Sequence, residues 1–146
     1  MATSLLLPGS IRLALEAAAL AAYPQEFCAL LLGRPLADGD GFAVEDWCPA
    51  ANIHPEPLRH FELDPTTHFA TLRKMRARPD GLSIIGHANS HPDAKAEPSA
   101  TDLAMAFDEE MVWLILSVTA GAVTALTAWR PKSGAFHPLT MKSIAG

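Results

Sequence analysis

The sequence predicts an α/β fold, a central mixed β-sheet flanked by helices. Three observations carry that expectation. Helix-patterned and strand-patterned segments are mixed along the chain, in the order helix, three strands, helix, strand, helix, two or three strands. The run Phe27-Cys28-Ala29-Leu30-Leu31-Leu32, closed by Gly33, is short, continuous and apolar, as suits a strand buried on both faces. The chain has 146 residues, 49% of them apolar, which is the size of one ordinary domain with room for a sizeable core, so residues 1–146 are expected to form a single domain.

The elements follow in order. Ser10 is expected to cap a helix over about residues 11–22, with Ile11, Leu15, Ala18 and Ala22 on one face and Pro24 ending it. Leu5-Leu6-Leu7 and the alanine-rich residues 17–22 have the apolar character of a signal peptide, but Arg12 and Glu16 interrupt the stretch and no basic segment precedes it. The chain is therefore expected to be cytoplasmic, with no membrane segment. After the strand from Phe27, Asp38-Gly39-Asp40-Gly41 reads as a turn, residues 42–48 as a second strand, 49–57 as a loop and 59–63 as a third strand. Asp64-Pro65 starts a helix with proline at its first position and an apolar stripe of Phe69, Leu72 and Met75. Residues 82–85 read as a fourth strand and 87–98 as a polar loop. Ser99 opens a short helix carrying Leu103 and Phe107. Residues 111–118 and 123–129 read as strands around the turn Thr119-Ala120-Gly121, and residues from about Phe136 as a short strand or a fraying tail.

Composition excludes some functions. With 11 basic and 16 acidic residues the net charge is −5, and no lysine- or arginine-rich run is present, which argues against a nucleic-acid partner held by a basic surface. Cys28 and Cys48 are too few for a disulfide scaffold and form no CxxC pair, so both are expected to be buried free thiols.

The segment that carries chemistry is Gly86-His87-Ala88-Asn89-Ser90-His91-Pro92, followed by Pro98-Ser99-Ala100-Thr101-Asp102. Taken singly, its residues have ordinary readings: His91 a loop histidine, Asn89 a turn residue, Ser99 and Asp102 a helix cap, Glu26 a solvated strand end. Taken together they differ. Asp102 falls in the first turn of a helix and His91 lies upstream across a loop. A loop folding back brings imidazole and carboxylate to one point, and both are good zinc ligands. The Ser99 hydroxyl at the start of that helix can face a substrate oxygen. Other hydrolytic signatures fail: there is no HExxH, no deaminase His-x-Glu with Pro-Cys-x-x-Cys, and Ser83 misses the GxSxG elbow by one residue.

The segment resembles the signature of the JAMM (JAB/MPN) metalloprotease family: His-x-His, seven residues, Ser, two residues, Asp, with a glutamate on an early strand. His91, Ser99 and Asp102 stand at the required spacing. The stretch from Tyr23 through Glu26 to Gly33 is similar to the glutamate-bearing strand, and Asn52 and Phe61-Glu62-Leu63-Asp64-Pro65 are also family-like. The resemblance implies an MPN (cytidine-deaminase-like) fold of the bacterial single-domain type. It also implies a Zn2+ ion held at positions 89, 91 and 102 with water in the open place, Glu26 as base and later acid, and Ser99 supporting the oxyanion. The substrate it implies is a peptide or isopeptide bond after the Gly-Gly tail of a ubiquitin-like or sulfur-carrier protein. One position departs: Asn89 stands where the first histidine belongs, and a neutral amide is a poorer zinc ligand than imidazole. His87 faces the same way, but two residues of strand displace a side chain by roughly 6–7 Å, against a tolerance of a few tenths of an ångström for a metal bond. The alternative function is a non-catalytic MPN module that binds a partner without turnover.

Overall fold

The structure, a computed structural model, describes residues 4–106 and 108–145. Among them are seven strands and three helices: β1 (Ser4–Pro8), α1 (Gly9–Ala22), β2 (Cys28–Pro35), β3 (Gly41–Ala50), α2 (Pro65–Arg76), β4 (Ser83–Pro92), α3 (Ala100–Ala104), β5 (Val112–Thr119), β6 (Ala122–Lys132) and β7 (Ala135–Ile144).

The expected mixed sheet forms, but it closes on itself. Its order is β1-β3-β2-β4-β5-β6-β7, and β1 returns to pair with β7. The reason lies in the first apolar run. Leu5-Leu6-Leu7 is strand β1, parallel to β3 on one side and to β7 on the other, with Leu5 and Leu7 buried. The mixed sheet expected from the sequence is thus a closed barrel, with α1 and α2 packed against it. α1 packs Leu15 and Ala19 onto the main core, which gathers Leu5, Leu7, Leu31, Val44, Leu114 and Leu116. α2 rests on a smaller cluster through Met75, against Leu32 and Leu82.

Local chemistry explains most element boundaries. Because β1 runs to Pro8, that proline and not Ser10 precedes α1, and no side chain caps the helix. Asp64 caps α2 by accepting from the Thr66 N–H, with Pro65 in the first turn and Arg73, Lys74 and Arg76 in the last, where they suit the helix dipole. Phe69, expected in the apolar stripe of α2, is 61% exposed, whereas Thr71 is buried. Residues 59–63 form no strand; Asn52 and Leu63 make an isolated bridge. Phe107, expected on the third helix, lies outside the described residues. Cys28 and Cys48 are free thiols as expected; Cys28 is buried and Cys48 half-buried.

The largest local correction falls on residues 87–92. They are the second half of β4 and not a loop, because Gly86 to Pro92 pairs in parallel with Val112 to Val118 of β5. Cys28 to Leu30 of β2 also pairs with Asn89 to His87. Gly86 permits this approach, since a Cβ there would lie 2.2 Å from the Val112 carbonyl oxygen. The chemistry-bearing segment therefore sits on an interior strand. No helix among the described residues is long and apolar enough to cross a membrane.

Candidate active site

Glu26 lies in the turn before β2, and its backbone is held from both sides. Its N–H donates to the Pro57 carbonyl at 2.7 Å, and its carbonyl accepts from Asn52 Nδ2 at 3.0 Å. Asn52 also donates to the His60 carbonyl and accepts from the N–H groups of His54 and Glu62, so one carboxamide ties the 52–62 loop to the glutamate. The Glu26 side chain is 6% exposed. Burial, and then the Asp102 charge, push its carboxyl up to about 7 against the opposing pull of His91.

His91, near the end of β4, is fixed at both ring nitrogens. Nδ1 lies 2.9 Å from the Lys95 carbonyl oxygen. A carbonyl only accepts, so Nδ1 carries the hydrogen of this bond and Nε2 is left facing Asp102, whose Oδ2 is 3.2 Å away. Burial works against a charged imidazole, but the bonds to Asp102 and Lys95 outweigh it and hold His91 above its ordinary value. Burial likewise opposes ionisation of Asp102, and hydrogen bonds from His91 and from the Ser99 backbone outweigh it, so its carboxyl is held low. Ser99 and Asp102 form a capping box: Asp102 N–H donates to Ser99 Oγ at 3.0 Å and Ser99 N–H to Asp102 Oδ2 at 2.8 Å. Ser99 Oγ accepts this bond, which leaves its own hydrogen to donate elsewhere.

Glu26, His91, Ser99 and Asp102 line one cavity of about 260 Å³, with Leu58 and Arg59 from the 52–62 loop. The sequence reading did not anticipate Leu58, Arg59 or the Lys95 carbonyl. No spacing signal marks them, because loop geometry alone brings them there.

Asn89 stands two residues before His91, on the same side of β4. It is fully buried, and neither Oδ1 nor Nδ2 has a hydrogen-bond partner. Among the described residues the remaining buried side-chain polar atom without a partner is Nδ1 of His87, on that same side. His87 is directed elsewhere. Its ring packs 4.2 Å from Trp113 and 5.5 Å from Phe61 in a second cavity of about 250 Å³, and burial pushes its pKa down to about 4. It does not stand in for a ligand beside His91.

The donor set can be tested for a divalent cation. Two ligand atoms bound tetrahedrally at 2.0–2.1 Å lie about 3.3 Å apart, and the His91–Asp102 pair stands at 3.2 Å. The bond from His91 Nδ1 to a carbonyl is the outer support that metal-binding histidines use. Among the described residues no three of His, Cys, Asp and Glu come together for a metal. Asn89, expected at a third position, is fully buried and is not among the residues that line the cavity of His91 and Asp102. The pair of His91 and Asp102 fits two places of a cation site.

Most of the chain is similar to known proteins. Residues 8–132 match the family described as prokaryotic homologs of the JAB domain. Over 104 residues the chain is 31% identical to the tail tip assembly protein K of Escherichia phage N15, a match covering 71% of this chain and 37% of that protein. Over 94 residues it is 34% identical to a desampylase of Haloferax volcanii, covering 64% of this chain and 63% of the relative. A 60-residue match, 35% identical, covers 41% of this chain and 39% of a probable TtuB-protein conjugate cleaving protease of Thermus thermophilus. The chain thus spans less than two thirds of the length of each of these relatives. A solution structure of a protein from Desulfitobacterium hafniense superposes with a TM-score of 0.83 at 29% identity, covering 97% of this chain and 94% of the other. One from Salinibacter ruber gives 0.67 at 33% identity, covering 92% and 90%.

Proposed function

This chain belongs to the prokaryotic homologs of the JAB domain, and from that premise we propose that it is a cytoplasmic zinc-dependent hydrolase. Its substrate is a peptide or isopeptide bond following the Gly-Gly tail of a ubiquitin-like or sulfur-carrier protein. The observation that carries this reading is the convergence of Glu26, His91, Ser99 and Asp102 on one cavity. The substrate class draws on two relatives, named as a desampylase and as a conjugate-cleaving protease.

Zinc, held by His91 and Asp102, would polarise the scissile carbonyl and lower the pKa of a water. The remaining work falls to the chain's own groups. Glu26, with a carboxyl near neutrality, accepts a proton from the attacking water and returns it to the departing amine. Ser99 offers its free hydroxyl hydrogen to the oxygen on which charge develops. The Lys95 carbonyl orients His91, and the Asn52 hub orients Glu26. The experiment is cleavage of a ubiquitin-like fusion joined after Gly-Gly, with slow turnover expected and its loss in Glu26→Gln. A full rate in that variant removes the assignment of the base.

Asn89 favours a second reading, a partner-binding module without turnover, and the phage relative is named for assembly. If Asn89→His binds zinc stoichiometrically but cleaves no fusion that the protein nevertheless binds, this second reading replaces the first.

A further inference from the structure

We propose that an apolar groove beside Ser99 receives a side chain from the leaving-amine side of the scissile bond, so that this chain selects substrates by an apolar residue just after the Gly-Gly tail. The inference rests on the hydrolase reading above, and it names which part of the substrate the neighbouring surface reads.

The groove measures about 420 Å³ and lies between the start of α3 and the turn that joins β6 to β7. Ser99 lines both this groove and the cavity of Glu26, His91 and Asp102, so the two adjoin at the hydroxyl that meets the developing charge. Leu103, Trp129 and Phe136 form the apolar wall, and Leu103 is left 39% exposed there. Both aromatic rings are fixed before anything binds. Trp129 Nε1–H donates to Thr127 Oγ1 at 2.8 Å, and that hydroxyl donates to the Ala96 carbonyl at 2.6 Å. Phe136 meets the ring of Trp113 edge-on, with centroids 5.1 Å apart. Rings held in this way make an anchor that costs little entropy to use. Glycine decides which part of the substrate fills it. An oxyanion donor stands about 3 Å from the reacting oxygen, and a chain advances at most about 3.6 Å per residue. A groove that begins at Ser99 is thus reached by the first residue or two on either side of the bond. On the tail side both of those are glycine and have no side chain to offer. The side chain therefore comes from the other side, from the first residues of a fused chain or from a modified lysine and its neighbours. Glu97, exposed on the same lining, disfavours an acidic residue there by like-charge repulsion.

The test uses the full chain and a ubiquitin-like domain ending in Gly-Gly, fused to a short peptide that begins with leucine or with aspartate. The wild-type chain should cleave the leucine fusion with a kcat/KM about 10–100-fold above that of the aspartate fusion. Leu103→Ser, at an exposed position, should narrow this preference to less than about 5-fold. Binding is read without turnover in Glu26→Gln, from the indole N–H resonances of the three tryptophans. The leucine fusion should move the Trp129 signal and leave that of Trp47, on β3, in place. The same domain ending in a free Gly-Gly should move neither. Cleavage at equal rates for the two fusions, or cleavage with Trp129 unmoved by the leucine fusion, overturns the groove and leaves the hydrolase reading standing. A Trp129 shift caused by the free domain assigns the groove to the tail and also overturns the proposal. A Trp129 shift with a leucine fusion that the wild-type chain does not cleave supports the groove and removes the hydrolase reading. Neither cleavage nor a shift overturns both.

Discussion

Two neighbouring positions on β4 bury polar side chains on opposite terms. At His91 both ring nitrogens have partners, in Asp102 and the Lys95 carbonyl, and Ser90 beside it accepts the Phe27 N–H at 2.7 Å. Two residues back, Asn89 is more deeply buried and has no partner at all, and Nδ1 of His87 beyond it is also unsatisfied. The strand is shared but the surroundings are not: Asn89 is paired with both Cys28 of β2 and Ile115 of β5, whereas the β2 pairing stops there and His91 lines the cavity. The contrast separates a position whose polar atoms the fold satisfies from one where it leaves them without partners. The first end should contribute to stability when nothing is bound. The second should subtract from it.

Four substitutions in chelator-treated protein break or sharpen that contrast. Asp102→Ala strands His91 and the Ser99 N–H together, and losing one partner of a buried pair should cost about 3 kcal/mol in denaturant unfolding; a loss below about 1 kcal/mol would mean the satisfied end is not the stabilising one. Glu26→Gln tests a group between the two ends. The folded state raises its pKa from 4.5 to about 7, so protonation favours folding. That stability is present below pH 4.5 and is lost as pH rises through about 7. The glutamine variant should therefore be more stable at pH 8, on the order of 2 kcal/mol after discounting for solvent screening. At pH 4 the two should melt alike, and an equal shift at both pH values would show that charge is not the cause. Asn89→Leu has the same branched shape without polar atoms, and removing an unsatisfied amide should raise stability by about 1–2 kcal/mol. A clear loss in that variant would mean the carboxamide is bonded after all. Ser99→Ala removes one half of the capping box and should cost about 1 kcal/mol, with the melting temperature as the check.

The sequence made the site more legible than the architecture. His91, Ser99 and Asp102 stand at fixed local spacing, and a capping box is written in four consecutive positions. α2 was equally plain, because Asp64 and Pro65 are start signals in their own right. What escaped reading depends on distant partners. β1 looks like an isolated apolar run until β3 and β7 are beside it. The second half of β4 reads as polar loop because Asn89, Ser90 and His91 are polar, and only pairing with β5 makes them strand. Residues 59–63 have a strand-like pattern, yet that segment is occupied in bonding Asn52 and lining the two cavities. Whether Asn89 had partners could not be read at all, since that depends on every neighbour at once.

Closure of the sheet also sets the order of events in folding. Leu5 pairs with Met141, 136 positions away, and also with Phe42. The hairpin of β5 and β6 needs only a short turn at Gly121 and can form early. The seam between β1 and β7 cannot form until both strands are available, and closing so long a loop is entropically slow. During synthesis β1 can pair early with β3, but its other edge stays open until β7 has left the ribosome. The closing step should be the slow one, and a chain that stops short of β7 should leave β1 with one open, sticky edge.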